Sequence, residues 1–153
     1  MKAFRVVPSP RAKDLSGEGA RLFGGRWNSK GVPMIYTAAA ASLAVLETLV
    51  HMSMDVFPEN LVMVTMEIPD EFIETLDPRQ LPKNWATYPA SAEVNEIGDA
   101  WAKNETSLGL LVPSAILPQE NNLIINPRHP QAGTIKIVAI DPYQVDRRLL
   151  KKQ

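Results

Sequence analysis

Met34-Ile-Tyr-Thr-Ala-Ala-Ala-Ala-Ser-Leu-Ala-Val-Leu-Glu-Thr-Leu-Val-His-Met52 changes its period once, and that change decides how the rest of the chain is read. Met34 to Thr37 is short and mixes apolar, aromatic and β-branched residues, which suits a strand. From Ala38 to Met52 the apolar residues recur at helical spacing. Leu43, Leu46, Leu49 and Val50 make the stripe, and alanines fill the close contacts. Ser42 is placed to cap the start. Upstream, Phe4 to Val7 reads as a strand stopped by Pro8. Residues 8–33 are punctuated by prolines and glycines and read as an irregular segment, of a length more often functional than merely connecting.

Downstream, Leu61 to Ile68 reads as a strand stopped by Pro69. Asp70 suits the cap of a brief helical turn through Leu76, and residues 77–90, with Pro78, Pro82 and Pro89, read as loop. Ser91 suits the cap of a helix to about Lys103, with Val94, Ile97 and Trp101 on one face. Leu108 to Val112, Asn122 to Ile125 and Thr134 to Ile140 are the remaining strands, bounded by Pro113, Pro118, Pro127 and Pro130. Strands and helices do not alternate regularly, which argues against a doubly wound parallel sheet. The expectation is one α+β domain over residues 1–153 with a mostly antiparallel sheet.

With 153 residues and 45% hydrophobic content, the chain has the apolar mass for one core. Cysteine is absent, so disulfides and thiolate metal sites are excluded, and His51 and His129 stand too far apart in sequence to suggest a metal centre. The net charge of −1 argues against nucleic-acid binding through bulk charge. That charge is uneven: residues 1–32 hold seven Lys/Arg against two Asp/Glu, and residues 33–120 hold three against thirteen. A basic first segment fits either a phosphate-binding cleft or a solvated face. The start, Met1 to Pro8, has no apolar core of signal-peptide length, and no apolar run approaches a membrane span, so the expected setting is the cytoplasm, with no membrane partner. Walker, Gly-x-Gly-x-x-Gly and Gly-x-Ser-x-Gly motifs are missing, which excludes Rossmann machinery and a hydrolase elbow.

The chemistry is concentrated in Arg21-Leu-Phe-Gly-Gly-Arg-Trp-Asn-Ser-Lys-Gly31, in Tyr36 and in Glu47. Arg26 follows a glycine pair; its fork suits a phosphate, or else one of the chain's many carboxylates. Trp27 and Tyr36 suit stacking on a planar ring, or core packing. Glu47 sits among apolar helix residues and is either on the wet side or turned into a cleft. In a cleft it suits sugar hydroxyls, or positive charge that builds as a glycosidic bond breaks. His51 lies one turn on and shares its face, where it suits orienting that carboxylate or contacting a phosphate, or else a partly buried structural place. Ser114, after Pro113, and Asn126, before Pro127, are each either ligand contacts or turn formers.

Together these pieces resemble the RES domain, the toxin of a bacterial toxin–antitoxin family named for an Arg, a Glu and a Ser. The matching stretches are Gly17-Glu-Gly-Ala-Arg-Leu-Phe-Gly-Gly-Arg-Trp-Asn-Ser-Lys-Gly31, Ile35-Tyr-Thr37, Leu43-Ala-Val-Leu-Glu-Thr-Leu-Val-His51 and Asn122-Leu-Ile-Ile-Asn-Pro-Arg-His-Pro130. The resemblance makes Arg26, Glu47 and Ser114 the catalytic set, with Ser107 the other nearby serine. It implies an ADP-ribosyltransferase-like fold with a split sheet around an NAD cleft. NAD is then substrate rather than resident cofactor, and no metal is expected. The bond cleaved is that between nicotinamide and ribose, by hydrolysis or phosphorolysis, with ADP-ribose transfer to a protein or non-catalytic NAD binding as alternatives. The expected NAD contacts are Arg26, Trp27, Tyr36, His51, Ser114 and Asn126. A DNA-binding antitoxin of the Xre type is expected to cover the site, and the toxin is expected to form a homodimer within a larger complex.

Overall fold

The computed structural model describes residues 1–52 and 58–150. Its elements run β1 (Lys2–Pro8), α1 (Glu18–Phe23), β2 (Ile35–Ala38), α2 (Ala41–His51), β3 (Leu61–Glu67), β4 (Ile73–Thr75), α3 (Ala92–Asn104), β5 (Gly109–Pro113), β6 (Asn121–Ile125) and β7 (Lys136–Pro142). The seven strands are ordered β4-β5-β6-β2-β1-β3-β7. All neighbours are antiparallel except β4 and β5. The halves β4-β5-β6-β2 and β1-β3-β7 meet at one registered pair, Phe4 opposite Ala38. This narrow seam is the split expected of the sheet.

Strand alternation sorts the apolar residues onto two faces. Ala3, Ile35, Val64, Met66, Leu123 and Ile125 form the core on one face, beneath loop residues such as Ala12 and Leu15. Arg5 shares this face, as the alternation from Ala3 requires. Its Nη2 donates to the carbonyls of Arg11, Ala12 and Asp14, the last at 2.6 Å, which fastens the covering loop. The opposite face carries the helices. There Trp27, Leu110, Val112 and Ile124 pack with Val94 and Trp101 of α3, while Ala38 packs with Leu43 and Ala44 of α2.

Several boundaries differ from the sequence expectation. Ser42 lies inside α2, whose cap position is Ala40 with no side-chain bond. Val50 is 54% exposed, so the buried face of α2 is carried by Leu43 and Ala44 rather than by the full leucine–valine stripe. The helical turn foreseen through Leu76 is only Asp70–Phe72; the β-branched Ile73 and Thr75 then continue as β4 beside β5. Asp70 accepts from the Met1 ammonium at 2.6 Å instead of capping. Ser91 holds the cap position of α3, but the bond there runs from the Val94 amide to its carbonyl. Residues 8–33 contain α1, which polar and glycine residues had concealed. Thr134 ends a short turn, and the last strand starts at Lys136.

Candidate active site

Glu47 is one helical turn after the buried Leu43, so its carboxylate is carried toward the sheet rather than to solvent. One oxygen, Oε1, accepts from the Ser114 hydroxyl at 2.8 Å and from the Asn122 amide at 2.6 Å. No bond to Oε2 is recorded among the described residues. Ser114 follows β5 directly and is fully buried. Its Oγ accepts the amides of Ile116 and Leu117, each at 3.2 Å. A hydroxyl has two lone pairs and one proton. The lone pairs are therefore taken by the turn and the proton goes to Glu47. Ser107, the other serine considered, accepts from Trp101 Nε1 at 2.8 Å and donates to the Gly109 carbonyl within the core. Ser114 is the serine that meets the glutamate.

Arg26 is delivered by the turn after α1 and held from a different loop. Its Nη1 donates to the carbonyls of Trp85 at 2.7 Å and Thr87 at 2.9 Å. Nη2 and Nε have no hydrogen-bond partner among the described residues, so the outer edge of the guanidinium is available for a ligand. The turn itself is locked by polar side chains. Asn95 of α3 donates to the carbonyls of Gly25 at 2.6 Å and Arg26 at 2.8 Å. Asn28 donates to the carbonyls of Ala20 and Val32, and its Oδ1 accepts the Tyr36 hydroxyl at 2.7 Å. The same hydroxyl accepts the Trp27 amide at 2.9 Å. A Cβ on Gly25 would stand 2.6 Å from the Tyr36 hydroxyl, so only glycine lets the turn close on the tyrosine. Burial holds the Tyr36 phenol well above its usual pKa, against a smaller lowering by its bond from Trp27, so it stays neutral.

Register connects the two halves of the site. Tyr36 lies opposite Ile124 and Ala38 opposite Asn122, which puts Tyr36 and Asn122 on one face of adjacent strands. Tyr36 touches the arginine turn and Asn122 touches Glu47. Arg26 and Glu47 thus belong to the same helix-bearing side of the sheet.

Other residues named from sequence lie elsewhere or act differently. Trp27 is 2% exposed and packs in the core with Met34, Leu110 and Ile124, so its ring has no open face for stacking. Asn126 is buried and formative: its amide donates to the Ala102 carbonyl and its Oδ1 accepts the Arg128 amide, an Asx turn. Ser114 reaches Glu47 and has no capacity left for a sugar. His51 is exposed at the end of α2, beside residues outside the described set, with no hydrogen bond among the described residues. Of the basic first segment, Arg26 is held by the carbonyls of Trp85 and Thr87, whereas Arg5 is spent on the opposite face and Arg21 pairs with Glu18 at 2.5 Å. Sequence reasoning did not select Asn122, Asn28 or Asn95. The signal was weak: an asparagine of poor strand propensity inside an apolar strand, and two in ordinary polar settings.

A profile of the RES domain matches residues 2–146. Curated relatives cover nearly the whole chain. The Prs ADP-ribosylating toxin of a Sphingobium species is 42% identical over 97% of this chain and 96% of its own length. A protein named Toxin Res from Yersinia enterocolitica is 48% identical over 88% and 89%. In three dimensions the fold resembles a chain in the crystal structure of the M. tuberculosis MbcT–MbcA toxin–antitoxin complex. The TM-score is 0.74 at 22% identity, covering 93% of this chain and 83% of that one. The fold, the matched span and the extent of identity place this chain in the RES domain family.

Proposed function

We propose that this protein is the toxin of a toxin–antitoxin pair and that it cleaves the nicotinamide–ribose bond of NAD. The observation that carries this reading is the Glu47 carboxylate, gripped among the described residues through Oε1 alone and lying on the same sheet face as an arginine whose other edge has no partner among them. Nicotinamide in NAD is cationic, so when the bond to ribose C1 breaks, the ring nitrogen keeps the electron pair and leaves neutral. The leaving group needs little acid help. The difficulty is the oxocarbenium character of the ribose, and a fixed carboxylate beside it is the group that offsets developing positive charge. Glu47 takes that part. The open edge of Arg26 holds the diphosphate or ribose oxygens. Tyr36, anchored at its hydroxyl, supplies ring surface to the nicotinamide side. Water or phosphate then attacks C1 and loses its proton to solvent.

Purified protein incubated with NAD should release nicotinamide, followed by chromatography, and Glu47→Gln should lower the rate by at least about a hundredfold. Unchanged release by folded Glu47→Gln protein would remove the carboxylate from the mechanism. A second reading, transfer of ADP-ribose to a protein, is favoured by the similarity to the Sphingobium protein named an ADP-ribosylating toxin. Labelled NAD and lysate separate the two: a labelled protein band marks transfer, free ADP-ribose marks hydrolysis and ADP-ribose phosphate marks phosphorolysis.

The proposed partner is an Xre-type antitoxin that seals the site, within a complex built on a toxin dimer. Phe23, 76% exposed, and Tyr88, 87% exposed, support a covered mouth. Phe23 lies three residues before Arg26, and Tyr88 directly follows the Thr87 carbonyl that holds it. No helix among the described residues is long and apolar enough to cross a membrane, and we place the pair in the cytoplasm.

A further inference from the structure

We infer that Asn122 is a positioning residue for Glu47, the donor that leaves the Oε2 edge of the carboxylate as the one presented to substrate. The inference rests on the reading of Glu47 given above. Asn122 lies on β6 between Ala38 of β2 and Val112 of β5, well inside the sheet, where an apolar residue would pack better. Among the described residues its side chain makes one hydrogen bond, the 2.6 Å donation to Glu47 Oε1. The other end of the amide, Oδ1, is buried with no partner among the described residues. A buried, unmatched acceptor lowers stability. Folding alone gives no reason to keep it. The amide orientation has one determinant, since a rotation that matched nothing else would turn Oδ1 against the carboxylate.

Ser114 alone does not fix Glu47. A single hydroxyl donor leaves the carboxylate able to swing about the Oε1 contact and exchange its oxygens. Two donors on one oxygen, arriving from the end of β5 and from the body of β6, define a direction as well as a distance. Strand backbones set both donors, and a helix sets the acceptor. The carboxylate is thereby held before substrate arrives, which is the arrangement that electrostatic stabilisation of a short-lived cation needs.

The test compares Asn122→Ala with Asn122→Asp in nicotinamide release from NAD by the purified protein, with circular dichroism to verify folding. Asparagine and aspartate have nearly the same shape. If Asn122 serves packing, the aspartate variant keeps more activity than the alanine variant. If it donates to Glu47, aspartate is the worse replacement, because it removes the donor and sets a like charge against the carboxylate. We expect kcat to fall on the order of tenfold to a hundredfold for Asn122→Ala, further for Asn122→Asp, with KM within about twofold in both. Asn122→Asp at or above Asn122→Ala, or a loss confined to KM, overturns the inference. A second measurement needs no substitution at 122. In wild-type protein the Asn122 side-chain amide protons should exchange slowly with solvent, and in Glu47→Ala they should exchange at least about tenfold faster; equal rates overturn it. If wild-type protein releases no nicotinamide, the proposed function fails while the exchange measurement still tests the contact. If wild-type protein cleaves NAD and the two variants rank by shape, the inference fails alone.

Discussion

Ser114 has one proton and two lone pairs, and all three are engaged, which makes it a coupler between a turn and a carboxylate. Ser114→Ala strips one donor from Glu47 and leaves the Ile116 and Leu117 amides unmatched. Unfolding in urea should show a loss of about 1–3 kcal/mol, alongside a lower kcat. Arg26 differs in kind, because two carbonyls hold its Nη1 while the other edge stays open. A lysine has no second edge. Arg26→Lys should therefore bind the loop carbonyls and still lose NAD, with KM raised on the order of tenfold or more, read from initial rates. Tyr36 carries a pH signature. Its ordinary pKa is 10.0 and burial raises it in the folded state. The neutral phenol is favoured on folding, so its contribution is complete below about pH 10 and is lost as pH climbs toward the raised value. Tyr36→Phe removes that loss along with the bonds to Asn28 and Trp27. The variant should be less stable at neutral pH, yet show a shallower decline in alkali when unfolding is followed from pH 8 to 12. The arginine, glutamate and serine were legible as residue types in a recognisable order. The asparagines that aim them were not. A side-chain amide bonding a distant backbone leaves no period and no spacing in sequence.

At the scale of elements, α3 holds the arginine turn. A Cβ on Gly98 would collide with the Trp27 carbonyl, so the helix can lie against the turn only through glycine. Asn95 lies one turn before Gly98 on the same helix and donates into the turn that the glycine approaches. Gly98→Ala must push α3 outward or bend the turn. The expected cost is about 1–3 kcal/mol, visible as a Tm lowered by several degrees, and the loosened turn should weaken NAD binding as well. The helices themselves were readable because their periods are local. What misled the reading was at their ends and faces. Ser42 has the chemistry of a cap, but the chain turns helical one residue earlier, and Val50 has the spacing of a core residue but faces outward. Glu47 is the reverse case. Its helical neighbours suggested either face; its place one turn after the buried Leu43 carries it inward, and Ser114 and Asn122 across the gap hold it there. Both of those partners lie more than sixty residues away in sequence.

For the whole molecule, the consequential feature is the seam between β1 and β2. The β1–β3 ladder has seven registered pairs, whereas the seam has one. The half that carries Tyr36, Asn122 and Ser114 is therefore attached to the other half through Phe4, Ala38 and the packing of α2 on β1 and β2 more than through backbone hydrogen bonds. The mostly antiparallel order of the sheet was legible from irregular alternation of elements. The family resemblance implied a split, but the place of the seam was not legible, because register is set by which strand ends meet in space. Phe23 and Tyr88 are large exposed aromatics that neighbour the arginine turn and the Thr87 carbonyl in sequence. Neither contributes a polar group to the clamp. Burying two aromatics of this size against an antitoxin would stabilise the complex by several kcal/mol on area alone, at about 25 cal/mol per Å². Replacing both by glutamate sets charge against that contact and leaves Arg26, Tyr36 and Glu47 in place. The double variant should cleave NAD at close to the wild-type rate and escape neutralisation when the antitoxin is co-expressed, so that cells arrest despite its presence. Growth rescued as fully as with wild-type toxin would move the antitoxin's contact away from the arginine side of the site.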